Sequence, residues 1–294
     1  MLFAGIDGGQ SSTTAAIARD DGVVLARGSA GPADEVDCAP DSSRLNDALN
    51  AALADALKKA NLDPQSRFSH VVAGVSGYEG RIYGAPPTLP ADRTTLLHDA
   101  PIAQAGAFNG GAGIVVIAGT GSVVYGVNRS GESLTLGGWG YVFGDEGSAF
   151  ALIREALRFG IASDDAGAAN SLTGLALQHF DRPSLRSIVR AFYQGEITRQ
   201  QLAGFAPSIL QAWLSGDEQA GALATQTVSA LARLVATASE RLSELKIAPI
   251  GGMFASAEYQ ALFAQHLSAF SPTAQIVGPI CDPAEGALRL AIRG

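Results

Sequence analysis

Cysteine is nearly absent. Cys38 and Cys281 are the only two in 294 residues, far apart and in no ligand spacing. That excludes a disulfide framework and a thiolate zinc site, and it fits a reducing compartment. Charge is scarce as well, at 16% of residues, and its basic share is the smaller: 20 Lys and Arg against 28 Asp and Glu, for a net charge of −8. A nucleic-acid backbone or an anionic bilayer needs cationic surface, so neither is expected as the main partner. No apolar run reaches the roughly 18 residues that cross a bilayer, and the opening MLFAGIDGG has no basic leader segment. The expectation is a soluble, cytoplasmic protein. No low-complexity linker interrupts the chain, which suggests domains packed closely around a cleft.

What the chain has is apolar mass. Hydrophobic residues make up 47%, enough for a sizeable core and too many for disorder. The length suits two domains or one large α/β domain. Residues 2–7 form an apolar run closed by Gly8 and Gly9, which predicts a buried strand. TTAAIA (13–18), the turn RDDG (19–22) and VVLARG (23–28) predict two more strands. Leu45, Leu49, Leu53 and Leu57, four apart, predict an amphipathic helix over 42–60. Strands are expected at 70–77 and 94–99, the second ending on Asp99, with a short helix over 100–109. The opening pattern then returns: 113–119, the loop TGS, 123–128, the turn RSGE and 133–138. Ile6-Asp7-Gly8 corresponds to Ile117-Ala118-Gly119, which reads as a duplicated domain. Helical periodicity follows over 145–160, 171–180, 184–194, 198–214 and 218–245, where Leu223, Leu231, Leu234, Leu242 and Leu245 mark the face of the last helix. A strand at 246–250, a helix near 256–270, a strand at 274–278 and a helix from 283 complete the chain.

The loop DGGQSST joins the first two strands. Its glycines, Gly8 and Gly9, let backbone N–H groups approach a ligand, and Ser11, Ser12 and Thr13 add hydroxyls, so the loop can hold a phosphate without a lysine. No GK[ST] follows, so it is not a Walker loop. Asp7 can hold Mg²⁺ through water, since that ion takes one or two carboxylates plus phosphate oxygens. Equally, the loop can be a plain hairpin in which Asp7 accepts turn hydrogen bonds. Gly119, Thr120, Gly121 and Ser122 repeat the device in the second half, and paired loops would grip a triphosphate from both sides. Gly251 and Gly252 offer a third turn, suited to a base or ribose, or an ordinary strand-to-helix turn. Asp99 is either a helix N-cap or a general base that takes the proton of an attacking hydroxyl. His98 reads as packing. The stretch GGWGYVFGDEGSAF sets Trp139 on a glycine loop, as a platform for a sugar face or as a core plug. Asp145 in the same stretch is a sugar ligand, a helix N-cap, or both, and Glu146 complements the helix dipole.

DGGQSST, VSG, LLHDA, GTGS, GGWGYVFGDEGSAF, GGMF and DPAEGAL occur in this order over nearly the whole chain. Together they resemble the N-acetylglucosamine kinase branch of the BadF/BadG/BcrA/BcrD ATPases, in the sugar kinase, actin and Hsp70 superfamily. GGWG followed by GDEGSA is the most specific element; the glycine loops are generic to the superfamily. The resemblance implies an α/β fold of two duplicated ribonuclease-H-like (actin-like ATPase) domains around an interdomain cleft. Residues 1–110 plus 281–294 would form the first, and 111–280 the second with a helical insertion. It implies ATP and Mg²⁺ as cofactors, an amino sugar phosphorylated on its 6-hydroxyl, and a homodimer. Asp99 matches the catalytic base. Asp7 and the hydroxyls after Gly8-Gly9 match the first phosphate loop. Thr120, Trp139 with Gly140, and Asp145 match positions near sugar or phosphate, and Ser76 would line the sugar pocket.

The first loop departs from the family's usual GGGT, with Gln10 and Ser11 in the changed places. Asp34 stands where these kinases often carry an asparagine that touches the sugar, and Val123 where some carry asparagine. An acidic Asp34 suits a free amine, as in glucosamine, better than an acetamide. Two rivals share the fold: an ATPase activator of a dehydratase, which would need cysteines for an iron–sulfur cluster, and a non-catalytic sugar sensor.

Overall fold

The computed structural model describes residues 1–33, 39, 41–82 and 84–294. Two compact units divide the chain. The first comprises Met1–Val115, Tyr125–Ser133 and Val277–Gly294, and the second Val116–Val124 and Leu134–Ile276.

The first unit is built on a five-stranded sheet. Its strands are β1 (Leu2–Gly8), β2 (Thr13–Arg19), β3 (Val24–Ala30), β4 (Phe68–Val75) and β5 (Ala91–His98), in the order β3-β2-β1-β4-β5. Neighbouring β1 and β2, and β2 and β3, run antiparallel, whereas β1, β4 and β5 run parallel. Strand β4, flanked by β1 and β5, is buried from His70 to Val75 and apolar from Val71 on, as a strand covered on both faces must be. Helix α1 (Arg44–Lys59) lies between β3 and β4 in sequence and places Leu45, Leu49, Leu53 and Leu57, with Ala48, Ala52 and Ala56, in the core against one face. Each fully buried leucine contributes about 1.5–3 kcal/mol. Helices α2 (Asp99–Phe108) and α11 (Pro283–Arg293) pack together, and Ile102, Ala287 and Ala291 share a cluster with Val72 of β4. Their close crossing needs glycine: a Cβ on Gly286 would stand 2.0 Å from the Ile102 carbonyl oxygen and 2.5 Å from Gly106 N.

The second sheet contains β6 (Gly113–Ala118), β7 (Ser122–Val127), β8 (Ser133–Gly137), β9 (Lys246–Ile250) and β10 (Gln275–Ile276), in the order β10-β9-β6-β7-β8. Counted from the first strand of each sheet, both read third, second, first, fourth, fifth. The duplication seen in the glycine loops is therefore a duplication of topology. Between β8 and β9 lie α3 (Gly140–Phe143), α4 (Ala149–Asp165), α5 (Ser171–Phe180), α6 (Leu185–Tyr193), α7 (Arg199–Ala203), α8 (Ala206–Leu214) and the long α9 (Glu218–Leu242). A single 3₁₀ turn, Gly252–Ala255, and α10 (Ala257–Phe270) follow β9.

Several boundaries correct the sequence reading. Helix α4 starts at Ala149, not 145, because the Ser148 hydroxyl accepts the Ala151 N–H as its cap. The helix expected over 198–214 is two helices. Pro207 has no N–H to continue the ladder and sits in the first turn of α8, so the chain breaks at Gly204 and Phe205. Helix α9 ends at Leu242 on a left-handed Ser243, which leaves Leu245 exposed beyond it. Strand β5 closes on His98, and Asp99 opens α2 instead of ending the strand.

Candidate active site

In the first unit the parallel register brings the predicted residues to one sheet edge. Asp7 lies opposite Gly74, which lies opposite Leu97; one step on, Gly8, Val75 and His98 are aligned. Asp7 and Asp99 thus both stand at the carboxyl ends of parallel strands, where α/β sheets bind ligands. Asp282, the N-cap of α11, acts on the same place. Burial first, and then the charges of Asp99 and Asp282, push the Asp7 carboxyl up from 3.8 to about 7.

The DGGQSST loop is a tight turn in which Gly9 N–H donates to the Ser12 carbonyl at 2.9 Å. Ser76 N–H donates to the Gly8 carbonyl at 2.9 Å, which fastens VSG to the loop. Ser11 and Ser12 are exposed. Thr13 is fully buried and its hydroxyl donates to the Gly31 carbonyl at 2.7 Å. The hydroxyl expected to face phosphate instead anchors the loop from beneath. Asp34 and Cys38 lie outside the described residues.

Asp99 is the first residue of α2 and not its cap. The cap is His98, whose Nδ1 accepts the Ala100 N–H at 3.1 Å. The same Nδ1 lies 2.7 Å from Asp99 Oδ1, an oxygen that is buried and receives no hydrogen bond. The histidine read as packing is in direct contact with the expected base.

The second unit assembles GTGS, Asp145 and the GGM turn. The Gly119 carbonyl accepts the Ala149 N–H at 2.9 Å, and the Thr120 carbonyl accepts the Phe150 N–H at 3.3 Å, so the loop sits over the start of α4. Gly251 has φ 109°, and a Cβ there would stand 2.4 Å from the Ala118 carbonyl oxygen. That turn, with Gly252 opening the 3₁₀ segment, therefore abuts the GTGS loop. The Ser122 hydroxyl, expected from the sequence to face phosphate, donates to the Glu146 carbonyl at 2.7 Å.

Asp145 is 3% exposed, with a left-handed φ of 62°. Oδ1 accepts Ser122 N–H at 3.3 Å, while Oδ2 is buried without a hydrogen bond, 3.9 Å from Arg199 Nη2. Burial raises its pKa, against the opposing Ser122 N–H and Arg199 charge. Asp145 is thus not the cap of α4, and it lies beneath the GTGS loop. A Cβ on Gly121 would stand 2.9 Å from Asp145 Oδ2 and 3.0 Å from Arg199 Nη2, so only glycine lets the loop come this close. Arg199, at the head of α7, was not foreseen. Its guanidinium also stacks on Tyr141, 5.4 Å from the ring centre. The one local signal was its place after Thr198, in a T-x-x-Q capping box. Trp139 is 78% exposed, which removes the core-plug reading. Trp139 precedes α3, which Gly140 opens with φ 79°, and Val142 and Phe143 of that helix are exposed as well.

Among the described residues no group of three or more His, Cys, Asp or Glu is placed to hold a metal ion. Asp7, with Asp99 and Asp282 acting on it, is a carboxylate of the kind that holds Mg²⁺ when phosphate oxygens and water complete its shell. Also among the described residues, no helix is long and apolar enough to cross a membrane.

A family profile for the BadF/BadG/BcrA/BcrD ATPases matches residues 4–291. The chain belongs to the BadF/BadG/BcrA/BcrD ATPase family. Among relatives of this chain, an N-acetylmuramic acid/N-acetylglucosamine kinase from Clostridium acetobutylicum is 29% identical over 202 residues, 67% of this chain and 66% of that protein. An N-acetyl-D-glucosamine kinase from Dictyostelium discoideum is 28% identical over 188 residues, 61% of this chain and 59% of that protein. The matches thus span less than two thirds of those relatives' length. A crystal structure of a candidate N-acetylglucosamine kinase from Chromobacterium violaceum superposes with a TM-score of 0.81 at 26% identity, over 99% of this chain and 98% of that one. The two five-stranded sheets of this family member are those of the actin-like ATPase fold.

Proposed function

We propose that this protein is an ATP- and Mg²⁺-dependent amino-sugar kinase. It transfers the γ-phosphoryl group of ATP to the 6-hydroxyl of N-acetylglucosamine or glucosamine. The observation that carries this reading is the placing of Asp99 beside Asp7 at the carboxyl ends of β1 and β5. Its support from similarity is the naming of the relatives above as N-acetylglucosamine kinases.

In this reading the 6-hydroxyl oxygen bonds to the γ-phosphorus as the bond to the β–γ bridging oxygen breaks, and ADP leaves. Asp99 accepts the hydroxyl proton. The protein's part is positioning and charge stabilisation, as in other phosphoryl transfers. Asp7 would hold Mg²⁺, which neutralises phosphate charge. Backbone N–H groups of Ser11 and Ser12, and of Thr120 and Gly121, cradle phosphate, while the Gly9 and Gly119 N–H groups close their own loops on the Ser12 and Gly121 carbonyls. The turn at Gly251 and Gly252 takes the nucleoside end. Trp139 and Gly140, with Ser76, bind the sugar, and Asp145 with Arg199 shapes the loop beneath the phosphates. The cytoplasm, where ATP is at hand, is the site of action in the same reading.

The test is ADP release across a panel of glucosamine, N-acetylglucosamine, N-acetylmuramic acid and glucose. Saturable turnover on an amino sugar is expected, and it should fall roughly 10²–10⁴-fold in Asp99→Asn, the usual worth of a general base. An Asp99→Asn protein with wild-type kcat, or no sugar in the panel accelerating ADP release, would end this reading. Turnover of glucosamine alone would bear on Asp34.

A further inference from the structure

The nitrogen beside Asp99 has two partners and can serve one at a time. His98 Nδ1 accepts the Ala100 N–H at 3.1 Å and stands 2.7 Å from Asp99 Oδ1. Oδ1 is buried and receives no hydrogen bond in this arrangement. Two lone pairs at such a distance repel unless a proton lies between them. A ring nitrogen that accepts from an amide carries no proton, and one that carries a proton can only donate.

We propose that His98 is a positioning residue for Asp99: unprotonated, its Nδ1 caps α2 through Ala100; protonated, it lets go of that amide and donates to Asp99 Oδ1. A carboxylate that already accepts a charged hydrogen bond takes a further proton less readily. The protonated form of His98 therefore withholds Asp99 from the sugar hydroxyl, and the neutral form releases it. The side chain of Asp99 is 22% exposed with Oδ1 buried, so what it shows to solvent lies on the Oδ2 side, where a hydroxyl would approach.

The surroundings favour the protonated state of His98. Burial opposes it, but the Asp99 carboxylate within reach of Nδ1, and then the charge of Glu79 after β4, outweigh burial and raise the imidazole above its ordinary 6.5. Asp7 on β1 and Asp282 at the head of α11, which act on the Asp99 side of the same sheet edge, are also acidic. Among the described residues, the charged groups that act on His98 are Asp99 and Glu79. The exchange of Nδ1 between the Ala100 amide and Asp99 Oδ1 thus follows the protonation of a single ring.

The inference rests on Asp99 as the general base, and the experiment separates the two. kcat and KM for sugar and for ATP are measured from pH 5 to pH 9 (a range chosen to bracket the ordinary imidazole value of about 6.5) for wild type, His98→Asn, His98→Ala and Asp99→Asn. Asparagine caps a helix well and does not titrate. Wild-type kcat should fall toward acid with an inflection in the imidazole range. In His98→Asn that inflection should move by at least about one pH unit toward the carboxylate range, with plateau kcat lowered by up to about tenfold because the amide can donate to Oδ1 at every pH. His98→Ala should move the inflection likewise and unfold at lower temperature, since the cap goes with the ring. An acid limb that stays in place in His98→Asn overturns the proposal. If instead Asp99→Asn keeps its activity, it is the base reading that fails. Should either His98 variant misfold, the C2–H resonance of His98 in the wild-type protein must titrate with the kinetic inflection, and a mismatch counts against the proposal equally.

Discussion

Asp7 is the residue whose environment has the plainest consequence. Its folded-state pKa of about 7 lies above the ordinary 3.8. Below about pH 4 the group is protonated in both folded and unfolded chains and has no effect on stability. As pH rises the unfolded chain ionises first, so the side chain destabilises the fold increasingly up to about pH 7 and by a constant amount above it. The gap corresponds to about 4 kcal/mol at full development. Asp7→Asn should therefore raise the urea midpoint of the ligand-free protein at pH 8, with the gain vanishing toward pH 4. An equal gain at both ends would show that the carboxyl is not strained by burial. The same variant should lose Mg²⁺-dependent turnover, which would mark a cost in stability kept for function. Asp7 was legible in the sequence because a carboxylate follows a short apolar run and precedes two glycines. Its acidic company was not, since Asp99 and Asp282 are remote along the chain.

At the level of elements, α7 does more than its five residues suggest. A helix this short does not persist by its own propensity. Thr198 and Gln201 close a capping box at its head, and Leu202 and Ala203 are buried. The break before Pro207 fixes where it ends. The outcome is Arg199 with its guanidinium 3.9 Å from the buried Oδ2 of Asp145. Arg199→Met should destabilise the protein by about 3 kcal/mol, because it leaves a carboxylate buried without its cation. Asp145→Asn in the same chain should recover part of that loss, and thermal unfolding of the two single variants and the double variant measures the coupling. Simple additivity would show that the two side chains do not act as a pair. The leucines of α1, four apart, were readable because their spacing is a property of one helix. The division of 198–214 was only half readable. GFAP contains the breaker, but apolar periodicity runs across it without interruption.

At the scale of the whole molecule, two sheets of one strand order carry the glycine loops at equivalent strand ends, after β1 and after β6. A nucleotide that binds only the folded chain stabilises it by mass action. A non-hydrolysable ATP analogue with Mg²⁺ at a hundred times its Kd should add about 2.7 kcal/mol, read as a rise in urea midpoint. The rise should shrink in Asp7→Asn. No rise in the wild type would argue that the loops do not hold nucleotide.

The sequence by itself determined what depends on near neighbours along the chain. That covers the strands and their glycine turns, the amphipathic face of α1, the repeated opening pattern, and the motif order that pointed to an actin-like ATPase. Such features follow from backbone geometry and side-chain periodicity over a few residues. Tertiary structure alone decided that Asp282 bears on Asp7, that Arg199 faces Asp145, that Gly251 lies against Ala118, and that Thr13 and Ser122 spend their hydroxyls inside the fold. Those meetings are set by strand register and by close helix crossings such as Gly106 against Gly286. Packing sums contacts over the whole core, so no local stretch encodes which distant side chains it will bring together.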